Sequence, residues 1–142
     1  DRTPSPQALA LAQEGRAATP EGVQRIHALK TGALLAAAVE LGARAAGGDP
    51  RPLAPFGEAL GLLFQAVDDV LDVTGEAAEL GKTPGKDAAA NKATLVAAMG
   101  LEGARERAAE LAERALAAGA DLGWAPEDRP LALVRALRDR KK

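Results

Sequence analysis

Hydrophobic and polar positions separate most sharply over residues 63–73. At about 100° per helical residue, Asp68, Asp72, Gln65 and Asp69 fall at roughly 0°, 40°, 60° and 100°, while Leu63, Phe64, Ala66, Val67, Val70, Leu71 and Val73 fill roughly 140° to 320°. The pattern predicts an amphipathic helix with one acidic face and one core-facing face. Thr19-Pro20-Glu21 reads as an N-cap, a proline at the first helical position and an acid in the first turn. The helix it opens is expected to run to about Ala46, where Gly47-Gly48-Asp49-Pro50 stops it. Pro52 or Pro55 then opens the acidic helix, which is expected to end near Gly75.

A Gly/Pro/Lys-rich loop is expected from about Glu76 to Asn91, followed by a short helix around Ala93 to Met99 and another from about Glu102 to Gly119. Residues 119–126 read as a connector, and Asp128 to Arg140 as a last helix. Residues 1–19 carry Pro4, Pro6 and Gly15 around a short helical stretch. There is no tandem repeat, and the expected organisation is a single all-α unit over residues 1–142.

Alanine and leucine dominate and β-branched residues are few, which favours helix over strand. The aromatic residues are Phe56, Phe64 and Trp124, so close packing must come from small side chains that let helices approach. Trp124, in a connector, is expected to act as a packing anchor. A chain of 142 residues suffices for one core. With a net charge of -2, neither nucleic-acid binding nor an acidic tail is indicated. Cysteine is absent, which removes disulfide and thiolate chemistry and is compatible with a reducing, cytoplasmic setting. No apolar run approaches the ~20 residues needed to span a bilayer. The first residue is Asp rather than Met, which suggests a fragment.

Three carboxylates that close together repel one another and raise each other's pKa values unless a cation joins them. Oxygen-only ligands suit Mg²⁺, which binds through one or two carboxylates, keeps waters and shares substrate phosphates. A solvated polar face is the plainer alternative. Lys30, followed by Thr31, shares a stripe with Val23, Ile26, Leu34, Ala37 and Leu41. Its ammonium must either reach water or find an anion. Lys82, Lys86 and Lys92 with Gly81 and Gly85 suit a polyphosphate, or form an ordinary solvated loop. A P-loop is excluded because the glycine spacing is wrong and no strand precedes it. Ala54, Gly57 and Gly61 form a small-residue groove on the acidic helix, open either to an elongated apolar ligand or, more simply, to a neighbouring helix. The lone His27 is assigned no role.

Taken together, His27-Ala28-Leu29-Lys30-Thr31-Gly32-Ala33-Leu34, Phe56-Gly57, Phe64-Gln65-Ala66-Val67-Asp68-Asp69-Val70-Leu71-Asp72, Leu80-Gly81-Lys82, Lys86-Asp87 and Asn91-Lys92-Ala93-Thr94 resemble the C-terminal half of the trans-polyprenyl diphosphate synthases. Order and spacing agree over about residues 20–120, closest to the short-chain farnesyl and geranylgeranyl members. The resemblance implies an all-α fold around a deep cavity, usually as a homodimer. It implies that Asp68, Asp69 and Asp72 are the second aspartate-rich motif binding Mg²⁺. It also implies that Lys30, Thr31, Gln65 and Lys82 contact or line the diphosphate site, with Lys92 nearby. The implied chemistry is condensation of an allylic diphosphate with isopentenyl diphosphate.

The family's first aspartate-rich motif, and the arginine and lysine that hold isopentenyl diphosphate, are absent from this sequence. A missing N-terminal half is the favoured explanation, and the chain alone is then expected to be inactive. The alternatives are a non-catalytic helical subunit of a partner synthase and a plain helical interaction module.

Overall fold

The computed structural model describes residues 19–27, 31–80 and 94–140. The helices among them are α1 (Pro20–His27), α2 (Ala33–Ala45), α3 (Ala54–Leu80), α4 (Leu95–Asp121) and α5 (Arg129–Arg138). A single 3₁₀ turn, Arg51–Leu53, leads into α3. The all-α expectation therefore holds for the described residues.

Local sequence explains the boundaries. Thr19 caps α1 as expected, its Oγ1 accepting from the Gly22 N–H at 3.2 Å. Helix α2 ends in a Schellman motif, with the Gly48 N–H donating to Ala43 O at 2.8 Å and the Gly47 N–H to Arg44 O at 3.0 Å. Gly47 supplies the left-handed residue this stop requires, with φ of 76°. Helix α4 ends the same way at Gly123, its Trp124 N–H donating to Gly119 O at 3.1 Å. Thr94 caps the start of α4 by accepting from the Ala97 N–H at 3.1 Å.

Three boundaries differ from expectation. Within the first predicted helix Thr31 and Gly32 form a π-helical turn that leads into α2, and residues 28–30 lie outside the described residues. Helix α3 runs five residues past Gly75, because Glu76-Ala77-Ala78-Glu79-Leu80 are strong helix formers. The helices expected on either side of Gly100 follow one another directly, and Gly100, at φ 78° and ψ 170°, makes the bend between them.

The core is the seam of α3 and α4. Leu60, Leu63, Ala66 and Val67 of α3 are buried with Ala104, Ala108, Leu111, Ala112 and Ala115 of α4. Val23 of α1 and Leu131 and Val134 of α5 complete it. Glu58 pairs with Arg114 at 3.3 Å, and Asp69 meets Leu95 at 2.8 Å, so the two helices run antiparallel. Each large side chain buried here stabilises by about 1.5–3 kcal/mol relative to exposure. Trp124 serves as the expected anchor, its ring meeting Phe56 edge to face at 4.9 Å.

Small residues set the helix spacing. A Cβ at Gly61 would lie 2.5 Å from Gly32 Cα, and one at Gly57 would lie 3.1 Å from Ala36 Cα. The Gly57–Gly61 groove is thus the seat of α2, which is the simpler of its two sequence readings. Gly61→Ala is expected to cost about 1–3 kcal/mol through overpacking, lowering the melting temperature by several degrees. Gly75→Ala, with nothing within 4 Å of the added carbon, should instead stabilise the helix by up to ~1 kcal/mol. Circular-dichroism melts of the two variants check this opposite pair of signs.

Candidate functional site

Helix α3 carries the site because its two faces do different work. Its apolar side is consumed by α4, which leaves Gln65, Asp68 and Asp72 on the remaining arc. Asp68 is half-buried and Asp72 exposed, and the two stand one helical turn apart, within reach of a common cation.

Gln65 is the exception to the apolar core. It is 9% exposed, the one buried polar side chain among the described residues. No hydrogen bond from its carboxamide is present among those residues. A carboxamide has two N–H donors and an acceptor oxygen, and buried groups of this kind are nearly always paired. An unpaired one on the acidic arc is a polar handle awaiting a partner.

Thr31 lies just before α2, next to the point where Gly32 meets Gly61, one turn along α3 from Gln65. Thr31 is half-buried in a π-helical turn, a distortion frequent at functional sites. Lys30, Lys82, Lys86 and Lys92 lie outside the described residues, as does the side chain of His27.

Asp69 is engaged differently from its neighbours. Its Oδ2 accepts from the Leu95 N–H at 2.8 Å, joining α3 to the start of α4. Sequence reading grouped it with Asp68 and Asp72, yet at roughly 100° on the helical wheel it borders the core side, which explains its reach toward α4. Among the described residues, no group of three or more His, Cys, Asp or Glu side chains is placed to hold a metal ion. Mg²⁺ does not require one, since one or two carboxylates serve when waters and phosphate oxygens complete its octahedron. The Asp68–Asp72 pair with Gln65 beside it fits that donor chemistry.

The family model for polyprenyl synthetases matches residues 5–122. The chain belongs to the polyprenyl synthetase family. It is 46% identical over 113 residues to farnesyl diphosphate synthase of Escherichia coli strain K12, covering 77% of this chain and 38% of that protein. It is 50% identical over 94 residues to the chloroplastic geranylgeranyl pyrophosphate synthase of Capsicum annuum, covering 64% of this chain and 26% of that one. Among solved structures, a geranyltransferase from Helicobacter pylori complexed with magnesium and isoprenyl diphosphate superposes with a TM-score of 0.71 at 32% identity. That match covers 93% of this chain and 44% of the Helicobacter protein. This polyprenyl synthetase chain thus spans less than half the length of the relatives it matches.

One further feature was legible only in part. The stripe of Leu34, Ala37 and Leu41, joined by Ala38, is exposed in full, with Leu34 at 70% and Leu41 at 65%. The opposite side of α2, carrying Leu35, Ala36 and Val39, faces α3 instead. A helix apolar on both sides is normally buried on both.

Gln65→Leu removes the unpaired carboxamide at nearly constant volume. It is expected to stabilise the chain by about 1–3 kcal/mol, read as a higher urea midpoint. A midpoint below that of the parent chain would mean the carboxamide is already satisfied within the fold.

Proposed function

We propose that this chain is the metal- and diphosphate-binding part of a Mg²⁺-dependent trans-prenyltransferase. The reaction joins an allylic diphosphate to isopentenyl diphosphate and yields a short-chain prenyl diphosphate of the farnesyl or geranylgeranyl type. The observation that carries the reading is the buried, unpaired Gln65 carboxamide on the same helical arc as Asp68 and Asp72, in a member of this family.

In this reading Asp68 and Asp72 are the residues that would hold Mg²⁺. When bound, the ion neutralises charge that develops on the departing diphosphate. Gln65 donates its amide N–H to a diphosphate oxygen, exchanging an unpaired burial for a satisfied one. Thr31 offers a hydroxyl from the facing helix, and Lys30, Lys82 and Lys92 supply compensating positive charge. The apolar stripe of α2 is covered by the part of the synthase fold that this chain does not span, so water is kept from the reacting carbocation. A homodimer in the cytoplasm belongs to the same proposal. No helix among the described residues is long and apolar enough to cross a membrane.

The exposed stripe also favours a second reading, a non-catalytic helical subunit that docks on a partner synthase. Metal-dependent ligand binding separates the two. The isolated chain is expected to show no turnover of geranyl or farnesyl diphosphate with isopentenyl diphosphate. It should nevertheless bind a bisphosphonate in a Mg²⁺-dependent manner by calorimetry. Asp68→Asn should weaken that binding at least about tenfold, or ~1.4 kcal/mol. Binding indifferent to Mg²⁺ and to Asp68 would leave the docking-subunit reading in its place.

A further inference from the structure

We infer that Asp69 is a positioning residue, an interhelix cap that fixes the rotation of α3 against α4, and that the acidic motif presents only Asp68 and Asp72 to the metal. The inference rests on the proposed diphosphate site for its second half and on geometry alone for its first. The first N–H groups of a helix have no intrahelical acceptor. In α4, Thr94 takes care of the third of them by accepting from the Ala97 N–H. The first, on Leu95, is served from outside the helix by Asp69 Oδ2 at 2.8 Å.

Several features make this bond more than a surface contact. Leu95 is 1% exposed, so water cannot readily substitute for the carboxylate. A carboxylate at a helix N-terminus also meets the positive end of the macrodipole. The bond spans 26 residues of sequence and joins the middle of α3 to the beginning of α4. Asp68 precedes Asp69 directly, and Gln65 and Asp72 lie within a turn on either side. Turning α3 about its axis would break the Leu95 bond and swing all three away from their arc. The Oδ2 of Asp69 is thus engaged by the start of α4.

The test uses conservative and truncating replacements with two independent readouts. Asn at position 69 retains an acceptor oxygen but loses the charge; Ala loses both. The Leu95 amide, which has no acceptor within its own helix, should be protected from hydrogen exchange in the parent chain and in Asp69→Asn. In Asp69→Ala its protection should fall at least about tenfold, with a lower melting temperature. Mg²⁺-dependent bisphosphonate affinity should stay within about threefold of the parent in Asp69→Asn, against the tenfold loss expected for Asp68→Asn. Equal losses in Asp69→Asn and Asp68→Asn, with Leu95 still protected, would make Asp69 a metal ligand and overturn the assignment. Unchanged Leu95 protection in Asp69→Ala would overturn it as well. If the parent chain binds no bisphosphonate at all, the proposed function fails, while the exchange data still decide the interhelix cap.

Discussion

The approach of Gly32 to Gly61 governs how near the helix carrying Thr31 comes to the helix carrying Gln65, Asp68 and Asp72. Any side chain at position 61 would meet the backbone of the neighbouring helix, with a Cβ 2.5 Å from Gly32 Cα and 2.9 Å from its carbonyl oxygen. Backbones that close leave no room for intervening side chains at the crossing. The same economy of side-chain volume recurs at Gly119, where Leu131 and Trp124 occupy the space a Cβ would need. With so few aromatic rings, close approach at small residues takes the place of large side chains at these crossings.

On this frame, α3 is divided between stability and chemistry. Leu60, Leu63, Ala66 and Val67 are given over to α4, and the opposite arc keeps the groups that apolar packing would exclude. Gln65 sits within that arc, buried but unpaired, and so carries a stability cost that packing alone does not explain. Asp69 sits at the edge of the arc and accepts from the Leu95 N–H. Helix α2 shows the complementary condition, apolar on the side that meets α3 and apolar again on the side that meets solvent. The chain spans 44% of the Helicobacter geranyltransferase on which it superposes.

Much of the helical order was legible in the sequence because its punctuation is chemically distinct. Thr19-Pro20, Gly47-Gly48 and the residues before Trp124 each act through backbone geometry that only those residue types supply. The extension of α3 beyond Gly75 was hidden because a single glycine costs a helix only about 1 kcal/mol, and the following alanines and glutamates outweigh it. For the candidate site, periodicity placed Asp68, Asp72, Gln65 and Asp69 on one arc, but it could not show that Asp69 also accepts from the Leu95 N–H. The Leu95 bond depends on a residue 26 positions away, and no local pattern encodes it. The lack of a partner for Gln65 was equally invisible, since burial and hydrogen bonding are properties of the packed helices.

If the proposed function holds, a divalent cation and a diphosphate meet at the arc of Gln65, Asp68 and Asp72. Mn²⁺ takes the oxygen ligands that suit Mg²⁺ and broadens the NMR signals of nearby protons, so it reports location directly. With pyrophosphate present, the account predicts selective broadening of the Gln65 side-chain amide and of the backbone amides of residues 68–72. Broadening spread evenly over exposed acids such as Glu102, Glu106 and Glu110, with Gln65 left sharp, would contradict it.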